Sequence, residues 1–246
     1  MRYEILGPLR VVDERGSSCV KAEKLAVVLA VLLIRSEKVV TAEHLMTEIW
    51  GEELPQRATA GIHVYISRLR KFLHRPGKSS PIVTRPGGYL LHTVSDEFDV
   101  ELFQQLVTEG RKSARDGQHV EACVCFEQAL GLWRGPVLGE LRPGPIVEGF
   151  VKWISEMRIE CTELLVDSQL ELGRYEEPIG RLSPLIAEYP LREKFHWQLM
   201  LALHRCDRRD EALRTYESAR SVLDRELGLE PGPKLRELHQ AVLLSG

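Results

Sequence analysis

Between residues 57 and 92 the sequence changes its hydrophobic period, and that change limits the folds open to it. Ile62, Ile66, Leu69 and Leu73 recur at i, i+4, i+7 and i+11, one apolar stripe of a helix from about Arg57 to His74. Arg75-Pro-Gly-Lys-Ser-Ser-Pro81 ends it, because proline and glycine do not continue a helix. Ile82–Thr84 and Tyr89–His92 then read as short strands around Arg85-Pro-Gly-Gly88, a hairpin with a basic, glycine-rich tip. Opposite the stripe lie Thr59, His63, Ser67 and Arg70, flanked by Arg68 and Lys71. The helix therefore has an apolar back and a polar front with basic edges.

The residues before it supply the rest of a small domain. Tyr3–Leu6 and Leu9–Val12 read as strands separated by Gly7-Pro8, Asp13–Ser18 as a turn cluster, and Cys19–Lys21 as a strand that pairs back. A largely buried helix follows at about Ala22–Arg35, then a short β-branched stretch, Lys38–Val40. Thr41 stands where an N-cap belongs, ahead of helix Ala42–Trp50, which stops at Gly51. Strands, three helices and a hairpin, in that order, make a winged helix-turn-helix, with Trp50, Ile62, Ile66 and Leu69 in its core.

Charge separates the chain into two parts. Residues 1–96 hold 14 Lys and Arg against 10 Asp and Glu, whereas residues 97–246 hold 19 against 26. From Leu54 to Ser95 there is no acidic residue, but there are seven basic ones: Arg57, Arg68, Arg70, Lys71, Arg75, Lys78 and Arg85. A polyanion is the natural partner for such a segment.

From Phe98 onward the pattern is helical, with helices at about Val100–Ala114, Val120–Trp133, Pro145–Leu172, Tyr175–Glu188, Arg192–Arg205, Arg209–Leu227 and Pro233–Leu244. Ala122, Phe126 and Ala129 recur in spacing as Pro178, Leu182 and Leu185, and again as Ala212, Tyr216 and Ala219. The step from 178 to 212 is 34 residues, the period of tetratricopeptide helix pairs. The expected fold is mainly α: a winged helix over residues 1–96, then an all-α tetratricopeptide-like repeat domain over 97–246.

Several other classes are excluded. The longest apolar run, Leu25–Ile34, has ten residues, and a membrane span needs about 20. The N-terminus lacks a signal-peptide core, so a cytoplasmic protein is expected. The five cysteines include no CxxC pair and read as buried free thiols. No metal is expected: there is no HExxH, and His63 and His74 are too far apart to suggest a metal pair. Gly77-Lys-Ser-Ser80 resembles the end of a phosphate-binding loop, but position 72 is Phe where that loop needs glycine. No constellation for general acid–base or nucleophilic catalysis stands out, so neither an enzyme nor a cofactor is expected.

Three motifs carry a resemblance. Ile62-His-Val-Tyr-Ile-Ser-Arg-Leu-Arg-Lys71 resembles the recognition helix of OmpR/PhoB-type winged helices, Thr84-Arg-Pro-Gly-Gly-Tyr-Leu90 their wing, and Leu45-x4-Trp50-Gly51 the end of their second helix. In the second half, residues 129–136, Asp207-Arg-Arg-Asp-Glu-Ala-Leu213 and residues 226–235 resemble the bacterial transcriptional activation domain. Together they resemble the antibiotic regulatory proteins of actinomycetes (SARPs). Within this sequence no aspartate-bearing receiver stands ahead of the winged helix, so the resemblance is not expected to carry phosphorylation control. The chain also ends before the nucleotide-hydrolysing module of larger members would begin.

The resemblance implies a DNA-binding activator of a secondary-metabolite gene cluster. It would bind direct repeats at promoters as a head-to-tail homodimer and recruit RNA polymerase holoenzyme. It would be cytoplasmic and nucleoid-associated. Thr59, His63, Ser67, Arg68 and Arg70 are assigned to DNA contact, with His63 and Ser67 nearest the bases. Lys71 and Arg57 are assigned to phosphates and Arg85 to the wing tip. Lys24 and Thr41 are assigned to phosphates through helix N-terminal geometry. Two other readings stay open: a protein-interaction scaffold and a ligand-gated repressor.

Overall fold

The computed structural model describes residues 1–14, 16–77, 79–94, 96–139, 141 and 144–245. The chain forms two compact units, Met1–Leu106 with Gln128–Arg158, and Val107–Glu127 with Ile159–Gly246. It is mainly α, as the periodicity implies.

The first unit opens with a sheet of β1 (Arg2–Glu4), β2 (Arg10–Asp13), β3 (Gly16–Ser18) and β7 (Glu97–Phe98), in the order β3-β2-β1-β7. The third strand is thus Gly16–Ser18 and not Cys19–Lys21. Asp13 pairs with Gly16 and Val12 with Ser17, so the chain reverses inside the segment whose composition reads as one turn. β7 runs parallel to β1 and has only two residues, too short for a period to announce it.

Buried carboxylates fix this sheet. Asp99 accepts the N–H groups of Ile5 and Leu6 at 2.8 and 2.9 Å. Burial holds its carboxyl above the ordinary range in spite of those bonds. Asp96 takes a bidentate pair from Arg75, at 2.8 and 3.0 Å, and the N-terminal ammonium at 2.9 Å. Burial alone would raise the Asp96 carboxyl, but the bonds and charges of those two cations hold it below its ordinary value.

Helices α1 (Glu23–Ile34), α2 (Ala42–Trp50) and α3 (Ala58–Phe72) pack with a second sheet, β4 (Val40–Thr41), β5 (Ile82–Arg85) and β6 (Gly88–Leu91), in the order β4-β6-β5. Every α1 residue from Ala26 to Leu33 is buried, and with Leu45, Ile62, Ile66, Leu69 and Leu73 they make the core of the winged helix. Trp50, expected in that core, is half-buried at the end of α2. Its ring lies against Tyr65, with centroids 6.2 Å apart.

Glu48 of α2 is buried and receives the N–H groups of Ile146 and Val147. These are the first free donors of α6 (Pro145–Glu171), since Pro145 has no N–H. A carboxylate there satisfies orphan donors and faces the positive end of the helix dipole. Gly144 permits the approach, because a Cβ there would stand 2.7 Å from the Glu48 Cα.

The second unit holds the end of α4 (Asp99–Arg115), most of α5 (His119–Gly131) and α6 from Ile159. It continues through α7 (Glu176–Glu188), α8 (Glu193–Arg205), α9 (Arg209–Leu227) and α10 (Pro233–Leu244). The three spaced triplets lie on α5, α7 and α9, and all are buried except the half-buried Leu185. Small residues let large ones approach: a Cβ on Gly110 of α4 would lie 2.5 Å from the Phe126 ring. Phe195, Leu199, Met200 and Leu203 of α8 fill the centre of this unit.

Among the described residues no helix is long and apolar enough to cross a membrane, and no cluster of metal-ligating side chains occurs. All five cysteines are free, but only Cys123 and Cys161 are buried; Cys19 is exposed. Burial pushes the Cys161 thiol up to about 12.

Two predictions follow from the packing. Glu48→Ala strands two donors at the start of α6 and should lower stability by about 1–2 kcal/mol in urea unfolding. His196 is buried with Nε2 donating to the Pro190 carbonyl at 2.9 Å, and burial lowers its pKa. The folded state therefore favours the neutral ring. The stability this residue contributes should be full above the unfolded value of about 6.5 and be lost as pH falls below it. Urea midpoints between pH 7.5 and 5.5 should fall less steeply for His196→Gln than for the wild type.

Candidate nucleic-acid interface

Helix α3 carries the front that its spacing implies. Its stripe is buried, while Thr59, His63, Ser67, Arg68 and Lys71 are exposed. Arg57, at the N-cap, is exposed too, and no side chain caps this helix. Arg70 and Lys71 lie in its last turn, where cations meet the negative end of the dipole. Thr59 Oγ1 donates weakly to Met46 Sδ at 3.8 Å.

Arg70 differs from its neighbours. Its Nε donates to the Ile82 carbonyl at 3.0 Å and its Nη2 to Thr84 Oγ1 at 2.8 Å. The guanidinium is half-buried and ties α3 to β5, so it orients the hairpin relative to the helix.

The hairpin tip is tied a second time. Arg85 pairs with Gly88 across the turn, and Gly88 pairs with Thr41 of β4. A Cβ at position 88 would lie 2.0 Å from the Val40 carbonyl oxygen, so only glycine permits this approach. Thr41 Oγ1 accepts from the His44 N–H at 3.1 Å and caps α2. The structure thus brings the wing tip beside the N-terminus of α2, which the sequence leaves as separate features.

The expected residues are otherwise distributed unevenly. Lys24 sits at the start of α1 with Nζ 5.2 Å from the Trp50 ring centroid, a cation–π contact at the far end of α2 from Thr41. Arg75 is consumed by Asp96. Lys78 lies outside the described residues. Four cations of the acid-free segment, Arg57, Arg68, Lys71 and Arg85, make no ion pair among the described residues. The sequence between positions 54 and 94 contains no carboxylate, so this segment carries its positive charge without an acid of its own.

Sequence reasoning passes over one residue on this face. Val64, next to His63, is 47% exposed. An apolar side chain on a polar helix front is the only signal for it. Such a group suits contact with a thymine methyl in the major groove.

Comparison with known proteins places this geometry. The family model "Transcriptional regulatory protein, C terminal" matches residues 20–91, and "Bacterial transcriptional activator domain" matches residues 98–243. Both are families of transcriptional regulators and not of enzymes. The regulatory protein AfsR of Streptomyces griseus is 36% identical over 99% of this chain, which spans only 24% of AfsR. DnrI of Streptomyces peucetius is 33% identical over 99% of this chain and 92% of its own length. The solved structure of Mycobacterium tuberculosis EmbR, in complex with a low-affinity phosphopeptide, superposes with a TM-score of 0.93 at 32% identity. The match covers 99% of this chain and 65% of that one. The chain belongs to the SARP family of transcriptional regulators, joining a winged helix of the OmpR/PhoB kind to a bacterial transcriptional activator domain.

Proposed function

We propose that this chain is a promoter-binding activator that reads short direct repeats as a head-to-tail pair and recruits RNA polymerase to a secondary-metabolite gene cluster. Residues 1–96 bind DNA and residues 97–246 serve activation, in the cytoplasm and on the nucleoid. The observation that carries the reading is the exposed, acid-free front of α3 beside a tethered basic wing tip.

In this reading α3 enters the major groove. His63 and Ser67 face base edges, with Val64 supplying apolar contact. Thr59 and Arg68 contact the DNA beside them. Lys71 and Arg57 hold phosphates at the two ends of the helix and set its register. Arg85 enters the adjacent minor groove, where the potential favours a guanidinium. Thr41 and the first turn of α2 meet a phosphate through backbone N–H groups, and Lys24 meets one from the start of α1. Arg70 acts mainly by holding the wing in place. Direct repeats relate the protomers by translation along DNA and not by a two-fold axis.

The test is an anisotropy titration of the chain on promoter fragments from its genomic neighbourhood, with excess non-specific DNA. Retention on a fragment bearing direct repeats, lost when one repeat is scrambled, is the expected result. No shift of any duplex, with or without polymerase, would overturn the DNA reading and leave the helical half as a scaffold. Lys71→Ala and Arg85→Ala should each weaken binding without changing the melting temperature. Each should also flatten the salt dependence by about one unit of slope. Arg70→Ala behaves differently: losing two charge-assisted bonds to the hairpin should cost about 1–2 kcal/mol of stability as well as affinity, read by urea unfolding.

A further inference from the structure

The indole of Trp50, at the end of α2, meets two other helices of the first unit. Lys24 Nζ, from the start of α1, lies 5.2 Å from its ring centroid. Tyr65 of α3 packs on it with ring planes 33° apart. One turn before Tyr65 stands Gly61, where a Cβ would lie 3.2 Å from Trp50 Cη2 and 3.6 Å from Cζ2. Gly61 and Tyr65, at i and i+4, share one face of α3, and the indole rests against that face. Glycine weakens a helix interior relative to alanine. The indole edge accounts for it here, because it leaves too little room for a side chain at ordinary van der Waals distance.

This contact lies behind the polar front of the helix. Thr59 and His63 stand two residues to either side of Gly61, about 200° round the helix, and both are exposed. At the other end of α3, Arg70 bonds the Ile82 carbonyl and Thr84 Oγ1. The helix is thus held near both ends, and the depth at which the indole meets Gly61 sets how far its first turns stand out. Displacements of about 0.5 Å are enough to spoil a set of contacts that must be made together. We propose that Trp50 is a positioning residue for base reading: its edge against Gly61 sets the height of α3, and so whether His63 and Ser67 reach base edges at the same time. The inference rests on the DNA reading proposed above and gives Trp50 no contact with DNA.

The experiment compares the full chain and its Gly61→Ala variant by anisotropy on a duplex bearing the direct repeats and on a scrambled duplex of equal length. Alanine favours the helix, so the urea midpoint should not fall. The new Cβ pushes α3 from the indole, and the preference for the repeat duplex should drop at least about fivefold. The salt slope should stay the same, since the phosphate contacts remain. Trp50→Phe removes the edge that the new Cβ meets. Alone it leaves a gap and should also reduce the preference; combined with Gly61→Ala it should restore most of it. Trp50→Phe alone decides the matter should Gly61→Ala lose its helical circular dichroism. Unchanged preference in the folded variants overturns the proposal, as does failure of the double variant to recover. Equal loss on both duplexes together with a lowered urea midpoint would mark a merely structural contact and overturn it too. Those outcomes leave the DNA reading standing; only a wild-type chain that binds no duplex brings down that reading, and this inference with it.

Discussion

The close approach of Gly88 to the Val40 carbonyl is the contact on which the geometry of the DNA-facing surface depends. It lets β6 pair with β4, and β4 leads directly into the first turn of α2. The wing is therefore part of the same sheet that positions α2. Arg70 closes the arrangement from the other side by bonding β5 from the last turn of α3. A hairpin by itself is marginal in water. Two ties of different kinds, one backbone and one charge-assisted, turn this one into a fixed arm.

Buried polar groups do comparable work elsewhere in the first unit. Asp96, Asp99 and Glu48 each join segments more than 20 residues apart in sequence, through bonds to backbone N–H groups or to cations. An acid with such partners is stable in the interior; the same acid without them would be strongly disfavoured. These contacts are directional, unlike hydrophobic burial, so they specify which segments meet. Arg134 illustrates the point: its N–H donates to the Leu6 carbonyl and its side chain to Pro8, bringing the loop after α5 onto the N-terminal strands.

The helical half works by a different rule. Its repeat positions alternate small and large residues, so that Gly110 meets Phe126 and Ala212 and Ala219 flank Tyr216 on one helix face. Packing of that kind fixes the spacing of helices and leaves their outer surfaces free to vary. An open groove lined by Tyr175 and Trp197 is one product of that freedom, with its charges settled residue by residue.

The sequence alone determined the order and type of nearly every helix, the wing hairpin, the repeat triplets and the separation of charge. Each of these is written in a local period or in a run of composition, and burial along one element leaves that record. Strand β7, the true position of β3 and the half-exposure of Trp50 were not legible, because two or three residues make no period. Only the tertiary structure decided which cations are available. Arg70, Arg75 and Lys71 look alike in the sequence, yet one holds the wing, one is bound by Asp96 and one faces outward. The physical reason is that a charged group's partner is chosen by the fold, often from far along the chain, while periodicity reports only which face of its own helix a residue occupies.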